Sequence, residues 1–254
     1  MRNLLKMDMR RLLRGKVLYI MIIVLTSIVV SSVVMSDSSA NLSELLGGMQ
    51  IDDPEMAFIG GTMGAGAIYG LLGIIVMLFI CNDYSSGFAK NIFSVHTNKR
   101  DYIISKLLTM MVACGILLGV FVVETVVCAA ILGRSLAVDS VFGIFMFLFQ
   151  KWLFSGVFAA IYIFINLWTR NKAVGSIAAF IIGTGGLVLG FSLFFDMVGI
   201  DASIITDSTI HGASGLINVG FNALTTLRVL ITGSVWIAVY GFLGKKVLLK
   251  KDVV

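Results

Sequence analysis

Glu124 and Lys151 are charged residues inside long apolar runs, where an ionised group needs a reason to stay. Counted from Leu107, Glu124 lies about 17 residues along its run, and Lys151 lies about 17 residues before Trp168. At about 1.5 Å per residue both stand about 26 Å from the same end of their helices. Leaving a charge in hydrocarbon costs on the order of 3 kcal/mol or more, so such groups pair or face water. Equal depth predicts a Glu124–Lys151 ion pair. The alternative is that both side chains reach outward to the interface, which the long lysine stem makes easy. Arg228, near one end of the last apolar run, reads as a side chain reaching outward in the same way.

Other chemistry is poorly provided for. His96 and His211 stand in loop sequence without ligand partners at useful spacing, so they read as ordinary polar loop residues and no metal site is expected. Cys81, Cys114 and Cys128 lie in or at the edge of apolar runs and read as small packing residues. There is no Ser, His and Asp constellation, no HExxH pair and no GxxxxGK[ST] phosphate cradle. An enzyme that splits ATP by itself, or an intramembrane hydrolase with a nucleophile and base, is therefore not expected.

The elements that carry these residues are apolar runs close to the length of about 20 residues that crosses a bilayer core. They cover Val17–Met35, Ala57–Cys81, Leu107–Leu132, roughly Trp152–Trp168, Val174–Phe195 and Leu224–Leu243. With 58% hydrophobic and 13% charged residues in 254, little remains for a soluble core. The expectation is an all-α membrane protein of six spans, with 1–254 forming a single transmembrane domain.

Cations divide sharply between the connections. Arg2, Lys6, Arg10, Arg11, Arg14 and Lys16 precede the first run, and Lys90, Lys99, Arg100 and Lys106 lie between the second and third. Arg170 and Lys172 follow the fourth, and Lys245, Lys246, Lys250 and Lys251 follow the sixth. Of the 19 Lys and Arg, only Arg134, Lys151 and Arg228 fall on the other face, with most of the acids. Cytoplasmic loops are enriched in Lys and Arg, so both termini are expected in the cytoplasm of a multi-pass cell-membrane protein. The net charge of +5 is dispersed at helix ends without aromatic interleaving, which points to anionic lipid head groups and away from nucleic acid.

Residues 1–16 read as an amphipathic elbow at the inner surface. Leu5, Met9, Leu12 and Leu13 share one face, and Lys6, Arg10, Arg11 and Arg14 the opposite one. The basic lead is long and the first run spans a bilayer, so it reads as an uncleaved anchor. Glycines at spacings of four in the second, third and fifth runs predict close helix packing; the alternative, for a subset of the fifth-run set Gly175, Ala179, Gly183, Gly186 and Gly190, is a face for a second copy. Residues 196–223 alternate apolar patches with Ser, Thr, Gly and Asn and read as a re-entrant outer segment.

The most specific stretch is Asn82-Asp83-Tyr84-Ser85-Ser86-Gly87-Phe88-Ala89-Lys90-Asn91, followed by Lys99-Arg100-Asp101-Tyr102-Ile103-Ile104-Ser105-Lys106. It resembles the cytoplasmic loop of type-2 ABC exporter permeases, with Asp83, Gly87, Arg100, Tyr102 and Lys106 at the matching positions. Small permeases of this size look like those of antimicrobial-peptide or toxin export and lantibiotic immunity systems. The resemblance implies that Asp83 to Val95 forms a coupling helix, including Lys90, seated in a separate ATP-binding subunit, with Arg100 and Lys106 fixing its angle. It further implies two such ATPase subunits, which would bind the ATP and Mg, and a second copy of this or a related permease. No cofactor is expected in this chain. The implied function is ATP-driven export of a hydrophobic or amphipathic substrate. A secondary transporter or ion channel is the alternative, and it should show several polar groups at mid-depth or a repeated half.

Overall fold

A computed structural model describes residues 2–38, 67–95, 99–131, 141–199, 209–217 and 223–250. Among them are ten helices: α1 Arg2–Arg14, α2 Lys16–Ser38, α3 Ala67–Ser85, α4 Phe88–Val95, α5 Lys99–Ile131, α6 Val141–Thr169, α7 Lys172–Gly183, α8 Gly186–Val198, α9 Ile210–Gly215 and α10 Ala223–Lys250. Four of them, α3, α5, α6 and α10, are long and apolar enough to cross a membrane. A fifth span is counted if α1 and α2, which meet at 52°, are taken together. The bend falls at Gly15, where a Cβ would lie 2.7 Å from the Arg11 carbonyl oxygen.

The core runs along α3 and α6. On α6 every residue from Phe154 to Ile163 is buried, because α3, α5, α7 and α10 all pack around it. Tyr69 stacks on Phe158 at 4.0 Å between ring centres. By contrast only 17% of the α10 window is buried, leaving side chains such as Leu227, Ile231 and Val235 facing outward. An outward apolar surface of this kind suits lipid, where every backbone group is already satisfied within the helix.

Small residues decide the tightest contact. Gly175, Ala179 and Gly183 are buried on α7 and face α3 of the same chain. A Cβ at Gly183 would lie 2.6 Å from the Gly70 Cα, and one at Gly73 would lie 2.6 Å from the Ala179 Cβ. Gly175, Ala179 and Gly183 thus serve the close helix packing that their spacing predicts, while nothing lies within 4 Å of a Cβ added at Gly190.

Three expectations change. The run Val174–Phe195 is two helices of 12 and 13 residues, α7 and α8. They are separated at Thr184 and Gly185, where Gly185 adopts φ +73°. The elbow turns a different face inward: Leu4, Asp8 and Leu12 are buried, whereas Leu13 is 45% exposed and Arg11 points into the protein. Spacing of four residues puts 4, 8 and 12 on one line, and α5 covers that line. Finally, α6 starts at Val141, well before Trp152. The residues 57–66, Arg134, His96 and half of the 196–223 segment, 200–208 and 218–222, lie outside the described residues.

Candidate functional site

Helix α4 is short because both ends are set by local chemistry. Ser86 N–H donates to the Asn82 carbonyl at 3.0 Å and Gly87 N–H to that of Tyr84 at 3.2 Å, closing α3. Gly87 then takes φ +71°, a left-handed conformation that a residue with a Cβ adopts only at a cost. Its carbonyl accepts from Lys90 N–H at 3.1 Å and opens α4. Along α4, Ala89 and Ile92 are buried and Phe93 is half-buried, while Lys90, Asn91 and Ser94 are exposed. The helix is thus amphipathic, with its polar side free of the bundle.

Beneath it lies a cluster of four charges drawn from three helices. Asp8 comes from α1, Arg11 from the next turn of α1, Asp83 from the end of α3 and Lys106 from the start of α5. Asp8, Asp83 and Lys106 are fully buried. The Lys106 ammonium sits 2.7 Å from Asp8 Oδ1 and 2.7 Å from Asp83 Oδ2. Arg11 Nη2 lies 2.7 Å from Asp83 Oδ1. The Tyr102 hydroxyl donates to Asp83 Oδ2 at 3.0 Å, and the Ser105 hydroxyl donates to Asp8 Oδ2 at 2.7 Å. Two carboxylates facing one ammonium and one guanidinium give no net charge, so the cluster can be buried without a stranded ion.

Aromatic rings fill the remaining sides. The Arg11 guanidinium lies 4.8 Å from the Phe79 ring centre and 4.4 Å from that of Phe88, the first residue of α4. Lys106 lies 4.5 Å from Phe79 and 5.0 Å from Tyr102. Phe93 of α4 packs on Tyr102 at 5.1 Å. A cation held over a ring gains about 2 kcal/mol when desolvated. Helix α4 thus touches α1 through Phe88 on Arg11 and α5 through Phe93 on Tyr102.

Of the residues singled out for coupling, Asp83, Tyr102 and Lys106 converge here, but inside the protein. Gly87 shapes the entry to α4, and Lys90 is exposed on it. Arg100 is exposed on the first turn of α5, so it does not share the buried position of Lys106. Lys6, Arg10 and Arg14 are exposed on the elbow. Asp8, Arg11 and Ser105 were not anticipated. The legible signal was Asp8, the sole acid among residues 1–16, lying in line with Leu4 and Leu12. Lys99 has a separate role: its ammonium donates to the Leu248 carbonyl at 2.6 Å, joining the start of α5 to the last turns of α10.

The expected Glu124–Lys151 pair is not formed. Lys151 donates to the Ser214 carbonyl at 2.9 Å, and Glu124 Oε1 meets the Thr26 hydroxyl of α2. The reason is axial level. Trp152 Nε1 donates to the Met111 carbonyl at 2.9 Å and packs on Gly115, so Lys151 stands beside that part of α5. Glu124 lies 9 to 13 residues further along α5, roughly 14–20 Å away at the helical rise. His211 is no ordinary loop residue either: it is on α9, packed over Gly185, with its Nδ1 buried and without a hydrogen-bond partner. Among the described residues no group of three or more His, Cys, Asp or Glu could hold a metal ion. Compared with protein-family models and with curated proteins, the chain matches none.

Proposed function

We propose that this chain is the membrane subunit of an ATP-driven exporter and that α4 is the helix on which a separate ATPase pushes. The observation that carries the reading is the setting of α4: a polar side turned away from the bundle, and an apolar side seated on a neutral charge cluster that joins α1, α3 and α5. A membrane domain without a nucleotide-binding motif needs an external motor. A short helix fixed to three others is the kind of part that converts a push into a rigid-body movement.

In this reading both termini and α4 are cytoplasmic, as the cation distribution favours. The protein lies in the cell membrane, with α7 and α8 together supplying the fifth of six spans, a broken one, and α9 belonging to a re-entrant outer segment. Two copies of this or a related permease work with two ATPase subunits, which bind the ATP and Mg. A hydrophobic or amphipathic cargo, such as a peptide toxin, suits apolar walls with few polar groups.

One observation favours a second reading, a secondary transporter or channel. Lys151 is buried near the break between α7 and α8, and discontinuous helices beside a buried charge are a feature of such transporters. Purification in mild detergent distinguishes the two. A stoichiometric ATPase, lost with Lys90→Glu while the permease stays folded, supports the exporter. Transport that runs on an ion gradient with no ATPase bound overturns it.

A further inference from the structure

Beside Met111 and Gly115, in the middle of α5, α6 carries a second charged arrangement, built differently from the first. Lys151 is 5% exposed, and among the described residues its ammonium has one hydrogen-bond acceptor, the Ser214 carbonyl of α9 at 2.9 Å, with the Phe147 ring 5.6 Å away. Among the described residues no acid pairs with it. The backbone of α6 is fixed at the same point, since the Tyr69 hydroxyl of α3 donates to the Lys151 carbonyl at 3.2 Å. The Lys151–Ser214 hydrogen bond thus ties α9 to α6, while α9 also packs on α10 and Ile210, Ala213 and Ile217 are buried.

His211 lies in the same contact. Its ring covers Gly185 so closely that any Cβ there would overlap the imidazole, which places it against the break between α7 and α8. A neutral ring with its hydrogen on Nε2 fits, because Nδ1 then carries no hydrogen and needs no acceptor. A protonated ring would add a second N–H donor where Nδ1 has no acceptor, and a second positive charge beside Lys151.

We propose that α9 is a proton-sensitive latch, seated on α6 by Lys151 while His211 is neutral and released when His211 is protonated. From α6 the facing charge is Lys151, and from α3 the nearest titratable group is the Tyr69 hydroxyl, held on the Lys151 carbonyl. The α7–α8 break, Thr184 to Gly186, brings none. On α10, which also packs on α9, Arg228 is exposed in the second turn and adds no negative charge.

Burial, and then the nearby Lys151 charge, hold the His211 imidazole below its ordinary value of 6.5. The seated state thus binds fewer protons than the released one. Seating is at full strength above 6.5 and is lost progressively as pH falls from 6.5 through the lowered seated value. One proton limits the change in the seated-to-released ratio to about tenfold per pH unit.

The test uses the full chain in lipid nanodiscs, with Cys81, Cys114 and Cys128 replaced by alanine and nitroxides at Gly215→Cys and Phe145→Cys, both exposed positions. Electron–electron distance measurements between pH 8 and pH 5 should show a longer-distance population growing below about pH 6.5. His211→Gln should hold the short distance throughout, and Lys151→Met should show the longer population already at pH 8. An unchanged distribution in the parent protein, or the same pH response in His211→Gln, would overturn the proposal. Neither outcome bears on whether an ATPase binds α4.

Discussion

Replacing Lys106 with methionine removes the one ammonium that the carboxylates of Asp8 and Asp83 share. The ammonium makes two contacts of 2.7 Å, each worth about 6 kcal/mol of Coulomb attraction at an effective dielectric constant of about 20. Loss of the desolvation cost of the lysine offsets much of that. The net is set by what remains: Asp83 keeps Arg11 and Tyr102, but Asp8 is left with the Ser105 hydroxyl and an Arg11 nitrogen 3.8 Å away. A cluster in which only Arg11 reaches the surface would go from neutral to one net negative charge, and breaking a buried pair in this manner costs about 3–5 kcal/mol. Asp8→Asn alone leaves the opposite imbalance and should cost a similar amount. The double substitution Asp8→Asn with Lys106→Met restores neutrality, so it should be less damaging than the sum of the two by about 2 kcal/mol or more. Unfolding by SDS titration in mixed micelles, with the four proteins forming a double-mutant cycle, measures that difference. Additive losses, or a Lys106→Met cost below about 1 kcal/mol, would refute the idea that the charges act as one buried unit.

Other consequences can be checked with the same preparations. Gly183→Ala should reduce the yield of folded protein, at a cost of about 1–3 kcal/mol, because its Cβ would meet the Gly70 backbone at 2.6 Å. Gly119→Ala, where nothing lies within 4 Å of the added atom, should be neutral or slightly stabilising in that assay. Gly87→Ala should cost about 1 kcal/mol, from the strain of φ +71°, and lower any ATPase-driven transport more than it lowers stability. Thr26→Val should destabilise the packing of α2 on α5 by about 1–3 kcal/mol, since it leaves the half-buried Glu124 without its hydroxyl partner, and Thr26→Ser should restore the loss.

Much of the fold can be read from local pattern. The apolar run lengths lead to the helices, and the Gly87 region carries its own stop and start signals. Gly175, Ala179 and Gly183 announce a close contact by spacing alone, although not that α3 would be the helix to fill it. The candidate site was legible on one side only. Asp83, Tyr102 and Lys106 stand out within one stretch, whereas Asp8 and Arg11 reach them from about a hundred residues away from Lys106, across a 52° bend. Arg11 was assigned to the solvent face because helical periodicity sorts residues by angle and ignores reach. A long guanidinium at the border of a face can turn inward when a carboxylate and two rings wait there.

The sequence by itself determines quantities that depend on neighbours along the chain: helical class, amphipathicity of α4, the division of cations and the positions of small residues. Pairing between charges on different helices is decided by the tertiary structure. It depends on where each helix begins, where it bends and how far it slides against its neighbour. Helix α5 starts at Lys99, eight residues before Leu107, whereas α6 ends at Thr169 beside the expected Trp168, so Glu124 stands beyond the level of Lys151, which lies beside Met111 and takes Ser214 as its partner. An ion pair tolerates only a few ångströms of such a shift, while each residue of helix contributes about 1.5 Å; burial then selects, among many charges, those whose partners arrive at the same level.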